Sequence, residues 1–266
     1  MKMDLQLQGK RALVTGSTAG IGFAIAQGLA KEGAAVIVNG RTEKRVEQAL
    51  SAPKKAGVTG KLEGLAADLG TAEGTRTAIA RFPEVDILVN NLGIFEIKPF
   101  EDIPDADWLR LFEVNILSGV RLSRHYMPEM KKRDWGRIVF ISSESAIQIP
   151  AEMIHYGMTK TAQLAIARGS AETTAGTNVT INSVLAGPTA SEGASNFIEN
   201  LARDQKTTRQ EVEREFFQNL RPTSLLKRMI EPQEVPNLVT FVCSPLSAAV
   251  NGAALRADGG VVRSII

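Results

Sequence analysis

Seven apolar runs of four to seven residues recur along this chain, at 12–15, 35–39, 62–68, 85–90, 137–142, 179–185 and 253–257. Stretches of helical length separate them, near 20–32, 42–52, 72–82, 105–131, 152–175 and 233–243, with Pro53 a stop for the second. Runs of that length with little polar alternation are strands buried on both faces. Their alternation with helices predicts an α/β chain, a doubly wound parallel sheet of about seven strands. At 266 residues one continuous core suffices, so a single domain over 1–266 is expected, and no internal repeat is found.

The polar segment 188–222 breaks the alternation. Helical patterns at 196–201 and 209–220 follow the sixth run with no strand between them, which predicts an insertion over one end of the sheet. Ligands of open α/β sheets bind at the carboxyl ends of the strands, so such an insertion can cover the crevice. An ordinary surface helical pair is the alternative.

Charge excludes one class of partner. The 31 basic and 29 acidic residues leave a net charge of +2, and the densest basic cluster is only Lys131-Lys132-Arg133, so no nucleic-acid surface is expected. The single cysteine, Cys243, rules out an internal disulfide and a multi-thiolate metal site. No signal peptide and no long apolar span is read, and a cytoplasmic protein is expected. His125 and His155 have no carboxylates at metal-ligand spacing and are expected to be structural or to line a pocket, with no metal bound.

Between the first strand and the first helix lies Thr15-Gly16-Ser17-Thr18-Ala19-Gly20-Ile21-Gly22. Glycines permit a tight turn and close approach to a pyrophosphate, while a helix start offers free N–H groups and the positive end of its dipole. The next strand completes a βαβ unit, the context in which such a turn holds a dinucleotide.

The spacing Gly-x-x-x-Gly-x-Gly resembles that of the short-chain dehydrogenase/reductase family. The match continues through Asp68-Leu69, Asn90-Asn91-Leu92-Gly93, Asn115, Ser143, Tyr156-Gly157-Met158-Thr159-Lys160, Asn182 with Gly187, and Asp258-Gly259-Gly260. Leu92 stands where the family has alanine, and Ala186 where it has proline. The second change is expected to loosen the entry to 188–222. The resemblance implies a Rossmann-like fold, similar to 3-oxoacyl-[acyl-carrier-protein] reductases, and hydride transfer between a nicotinamide and a carbonyl or secondary alcohol. It implies that Gly16, Ser17, Thr18, Gly20, Ile21, Gly22, Arg41, Asp68, Leu69, Asn90, Gly93, Gly187 and Thr189 border the cofactor together with Tyr156 and Lys160. Asp68 would face the adenine amino group, Asn90 and Gly93 the ribose, and Asn91 is as well explained as a turn residue.

Tyr156 and Lys160, four apart in a predicted helix, share a face. A free phenol titrates near ~10, and a neighbouring ammonium together with an oxidised nicotinamide is expected to lower it toward neutrality, making Tyr156 a general acid/base. By resemblance Ser143 bonds the substrate oxygen, with Ser142 its nearest rival, and Asn115 holds a water linking Lys160 to solvent.

The second strand ends at Val38-Asn39-Gly40-Arg41. NAD-selective sites place an acid there; here the position falls on Gly40, and the Arg41 guanidinium can fork onto a 2′-phosphate. NADP is therefore favoured, with NAD the alternative, and an acid at Gly40 with Arg41 removed is expected to reverse the preference. A dinucleotide-sensing regulator without turnover and a 3-oxoacyl thioester reductase are the competing functions. A homotetramer is implied by resemblance, with Ile265 and Ile266 at the chain end expected against a neighbour.

Overall fold

The computed structural model describes residues 4–52 and 59–265; Met1, Pro53 and Ile266 lie outside them. Seven parallel strands form one sheet: β1 (Arg11–Val14), β2 (Ala35–Gly40), β3 (Leu62–Ala66), β4 (Ile87–Asn90), β5 (Gly136–Ser143), β6 (Val179–Ala186) and β7 (Ala254–Ala257). Their order is β3-β2-β1-β4-β5-β6-β7. The helices are α1 (Gly20–Lys31), α2 (Glu43–Ser51), α3 (Ala72–Arg81), α4 (Asp105–Phe112), α5 (Ser118–Lys132), α6 (Ile154–Glu172), α7 (Glu192–Asp204), α8 (Arg209–Glu215) and α9 (Val235–Val242).

Alternate residues of each strand feed opposite faces, as the two-residue period of a strand requires. In β1, Ala12 and Val14 join the core packed by Ile25 and Leu29 of α1 and Val239 of α9. Leu13 points the other way, onto Leu122 and Tyr126 of α5 and Ala167 of α6. The three layers are the doubly wound α/β architecture predicted from the run pattern. The chain winds outward from β1 in both directions, which opens a crevice at the carboxyl ends of β1 and β4.

Two local departures from the expected pattern bear on the site. The helix predicted at 105–131 is one run, but a π turn at Glu113–Leu117 widens it between α4 and α5. The strand entering the insertion is not loosened by the missing proline: Ala186 pairs with Ser143 on one side and Ala257 on the other. The segment 188–222 carries α7, α8 and a π turn at Phe216–Leu220, and its Ile198, Ala202, Val212 and Phe217 pack in a small core with Met229 from beyond it. Its helices start at capping hydroxyls, Ser191 for α7 and Thr208 for α8.

Candidate active site

The turn after β1 is held by asparagines on both sides. Asn39, at the end of β2, accepts the Gly16 N–H on its side-chain oxygen at 3.0 Å, and its amide nitrogen donates to Leu65 O and Ala67 O. From the end of β4, Asn91 Nδ2 donates to Thr15 O and Gly16 O at 2.9 and 3.0 Å. Asn91 is thus a clamp on the glycine turn. Ser17 is turned inward: its N–H donates to Asn39 O, and its hydroxyl donates to Val14 O at 2.6 Å and accepts from Asn39 N. That hydroxyl is spent on the turn and does not face the cleft.

Glycine is dictated by geometry here. Gly16 and Gly20 have φ of +59° and +57°. A Cβ on Gly22 would lie 2.4 Å from Asn91 Nδ2 and 2.5 Å from Gly16 O. The cap of α1 is Ala19, which has no side-chain bond to the helix start, whereas α2 and α3 are capped by Thr42 and Thr71. The first N–H groups of α1 are therefore left for an anion, and the residues fit the pyrophosphate of a dinucleotide.

Further along the same edge, Asp68 is exposed, with one carboxylate oxygen on Gly70 N at 3.1 Å, and Leu69 is buried. Arg41 is exposed beyond β2. Gly40, beside it, is closed off: a Cβ there would fall 2.5 Å from Thr18 Cγ2 and 3.1 Å from Val46 Cγ2. An aspartate at 40 would therefore have to displace the Thr18 side chain to reach a ribose. Asn90 is buried beneath α5, its Nδ2 donating to Ser123 Oγ at 3.1 Å, so its side chain faces the helix layer and not the crevice.

The opposite wall brings the reacting groups together. One cleft of about 250 Å³ is lined by Gly93, Ser143, Tyr156, Lys160, Gly187 and Thr189, among others. Gly187 is required because a Cβ would meet Asp258 O at 2.4 Å, and Thr189 bonds back to Gly187 O. Ile21 also reaches the cleft. Ser142 and Ser143 both line the cleft; the Ser142 hydroxyl donates to Lys160 O at 2.9 Å, and the Ser143 hydroxyl to Glu144.

Lys160 Nζ donates to Ile141 O at 2.9 Å and to Gln163 Oε1 at 3.3 Å, and lies 5.6 Å from the centre of the Tyr156 ring. Burial lowers Lys160 to about 8, against an opposing pull from Glu144. The protein's own groups shift Tyr156 upward, opposite to the lowering expected of the ammonium. Desolvation and the Glu144 charge push the phenol well above its usual range, while a hydrogen bond with Ser143 and the Arg221 charge pull it down. The lysine's cation is directed at Ile141 and Gln163, and burial of the phenol outweighs the favourable neighbours.

Asn115 lies in the π turn, where its amide is fully used. Its Oδ1 accepts from Ile94 N at 2.8 Å, and its Nδ2 donates to Ile94 O and Thr159 Oγ1. The widened turn frees its main-chain carbonyl, which accepts from Gln163 Nε2 at 2.7 Å.

Sequence inspection overlooked Asn39, Gln163, Glu144 and Arg221. Asn39 was signalled by an amide ending an apolar run, and Gln163 by its position one turn beyond Lys160. Glu144 adjoins Ser143. Arg221 gave no local signal, since its partners Glu144 and Glu152 are distant in sequence. His155 is buried with neither ring nitrogen partnered, faces the Trp108 ring edge-on, and is held below the usual histidine range by burial. Among the described residues no group of three or more His, Cys, Asp or Glu is placed to hold a metal ion, and no helix is long and apolar enough to cross a membrane.

Comparison with known proteins agrees with this geometry. The short chain dehydrogenase family model matches residues 10–202. The uncharacterized oxidoreductase YvaG of Bacillus subtilis is 54% identical over 99% of this chain and all of its own. D-beta-hydroxybutyrate dehydrogenase of Cupriavidus necator is 33% identical over 96% of this chain and 99% of its own. Among solved structures, L-sorbose reductase from Gluconobacter frateurii, complexed with NADPH and L-sorbose, superposes with a TM-score of 0.91 at 28% identity, covering 99% of this chain and 100% of that one. Fold, glycine turn and relatives lead to one conclusion: this chain belongs to the short chain dehydrogenase family and is an NAD(P)-dependent dehydrogenase or reductase.

Proposed function

We propose that this enzyme interconverts a carbonyl and a secondary alcohol with NADP(H), using Tyr156 as the general acid/base. The observation that carries the proposal is the meeting of Ser143, Tyr156 and Lys160 in one cleft, at the strand ends beside the open start of α1. The nicotinamide, when bound, gives or takes the hydride. Gly16, Thr18, Gly20, Ile21 and Gly22 would hold the pyrophosphate through backbone N–H groups, and Asp68 and Leu69 would border the adenine. Gly93, Lys160, Gly187 and Thr189 would flank the nicotinamide end.

Ser143 and Tyr156 would bind the substrate oxygen from two sides. A phenol held above its usual range keeps its proton at neutral pH, so Tyr156 is set to donate it as the oxygen gains charge. Asn115 and Gln163 would fix Lys160 behind the phenol. NADP is supported by the absence of an acid at Gly40, by Arg41 next to it, and by the NADPH held in the related sorbose reductase structure. The segment 188–222 would serve as the substrate wall, since Ala194, Ile198 and Arg221 line the cleft. A cytoplasmic homotetramer completes the proposal, supported by exposed Leu109 and Phe112 on α4 and by exposed Ile265.

An assay of NADPH oxidation against a panel of aldehydes and ketones tests this. Turnover with at least one carbonyl, slower with NADH, is expected. Tight dinucleotide binding with no turnover of any of them would favour the sensor function instead.

A further inference from the structure

Besides Lys160, the charged residues lining the cleft among those described are Glu144 and Arg221, and the proposed chemistry uses neither. Both are buried, at 4% and 5% exposure. Glu144 directly follows Ser143, and its Oε2 accepts the Ser143 hydroxyl. Its Oε1 accepts from Arg221 Nε at 3.0 Å. Arg221 comes from the end of the insertion and donates from Nη1 to Glu152 Oε1 at 3.0 Å and to Leu220 O at 2.9 Å.

Ser143 has one proton, which it donates to Glu144 Oε2, with the Tyr156 oxygen as the competing acceptor. To donate to a substrate oxygen, Ser143 must turn that proton away and leave Glu144 Oε2 without it, while Oε1 keeps Arg221 Nε. A buried carboxylate does not give up a hydrogen bond without replacement at little cost. The substrate must therefore bring a donor of its own. With Ser143 donating to the reacting oxygen and its Oγ still beside Glu144 Oε2, the reacting oxygen and the carboxylate lie within roughly 5.5 Å of each other. A hydroxyl on the neighbouring carbon falls in that gap.

Charge selects the kind of donor. Glu144 and Glu152 carry two negative charges, matched by Arg221 and Lys160, so the recess is balanced and favours a neutral hydroxyl over an ammonium or a carboxylate. The facing walls are apolar, with Ile94, Phe95, Met153 and Phe216 ready to take hydrocarbon.

We propose that Glu144 is the specificity-determining residue of the cleft, accepting a hydrogen bond from a hydroxyl adjacent to the reacting carbonyl, so that the substrates are neutral α-hydroxy ketones and, in reverse, vicinal diols. The proposal rests on Ser143 and Tyr156 binding the carbonyl oxygen.

The test compares kcat/KM with NADPH for matched pairs: acetoin against butanone, and phenylacetylcarbinol against phenylacetone. Each hydroxy ketone is expected to exceed its partner by about ten- to a hundred-fold, the effect of one hydrogen bond to a charged group. Glu144→Gln should shrink that ratio about ten-fold, which separates the contact from the intrinsic reactivity of the ketone. Should unpairing Arg221 unfold that variant, Glu144→Gln with Arg221→Met removes both charges together, and the wild-type ratios stand regardless. Equal rates within each pair, a ratio untouched in the variants, or preference for pyruvate or aminoacetone overturns the proposal while leaving the carbonyl reductase intact. No turnover of any carbonyl overturns both.

Discussion

Gln163 joins the Asn115 carbonyl to the Lys160 ammonium, donating to the first at 2.7 Å and accepting from the second at 3.3 Å. Family resemblance predicts a water at Asn115 serving that lysine; in this chain a side-chain amide occupies the direction in which the π turn points the carbonyl. The amide fixes Lys160 through a neutral, directional contact, and its removal leaves the Asn115 carbonyl without that donor and Lys160 with Ile141 O as its remaining acceptor.

Gln163→Leu is therefore expected to lose about 1–3 kcal/mol of stability. It should also move the basic limb of the pH profile to lower pH, because Lys160 loses an acceptor that favours its charged form. Gln163→Glu should move the limb the other way. Thermal melts and pH profiles of kcat/KM check both, and limbs that coincide in all three proteins would leave Gln163 a packing residue.

The wild-type profile has its own expected shape. Lys160 is held at about 8 by burial, and Tyr156 lies well above its ordinary range. Carbonyl reduction, which needs the phenol protonated and the ammonium charged, should be level near neutrality and fall as pH rises through about 8. A descending limb that appears only near the ordinary lysine value of 10.5 would show Lys160 to be solvated.

Gly22→Ala tests the phosphate turn. Its Cβ would press on Asn91 Nδ2 and Gly16 O at 2.4 and 2.5 Å, so either the clamp or the helix start must move. Overpacking of that kind is expected to weaken NADPH about ten- to a hundred-fold. Gly169→Ala is the control. Nothing lies within 4 Å of its Cβ, in the interior of α6, so it should bind NADPH normally and melt slightly higher.

Arg41→Ala tests cofactor choice. Loss of a charged hydrogen bond to the 2′-phosphate, about 1.5–3 kcal/mol, should weaken NADPH ten- to a hundred-fold and leave NADH nearly unchanged. Equal weakening of both would move phosphate recognition to Thr18 or Arg45. Gly40→Asp, which must displace Thr18, is expected to weaken both cofactors instead of exchanging them.

Much of the fold was legible in the sequence because the features concerned are local. Every predicted strand is present within a few residues, since buried parallel strands are short apolar runs that need no distant partner to be identified. Gly16, Gly20 and Gly22 were legible because a backbone that must turn tightly leaves only glycine. The direction of the Tyr156 shift was not, because it depends on the desolvation of the phenol in the folded cleft and on the charge of Glu144 beside Ser143. Arg221 escaped for a similar reason: it meets Glu144 across 77 residues, through a fold that composition does not reveal. Ser17 and Asn90 bear family motif positions, yet their side chains are turned into the structure that supports the site.

The central claim, that Tyr156 delivers the proton, is tested most directly by Tyr156→Phe measured in two ways. NADPH affinity, read from cofactor fluorescence, should stay within a few-fold of wild type, and kcat should fall by a factor on the order of 10² or more. Near-normal turnover in that variant, with the cofactor bound, would contradict the account.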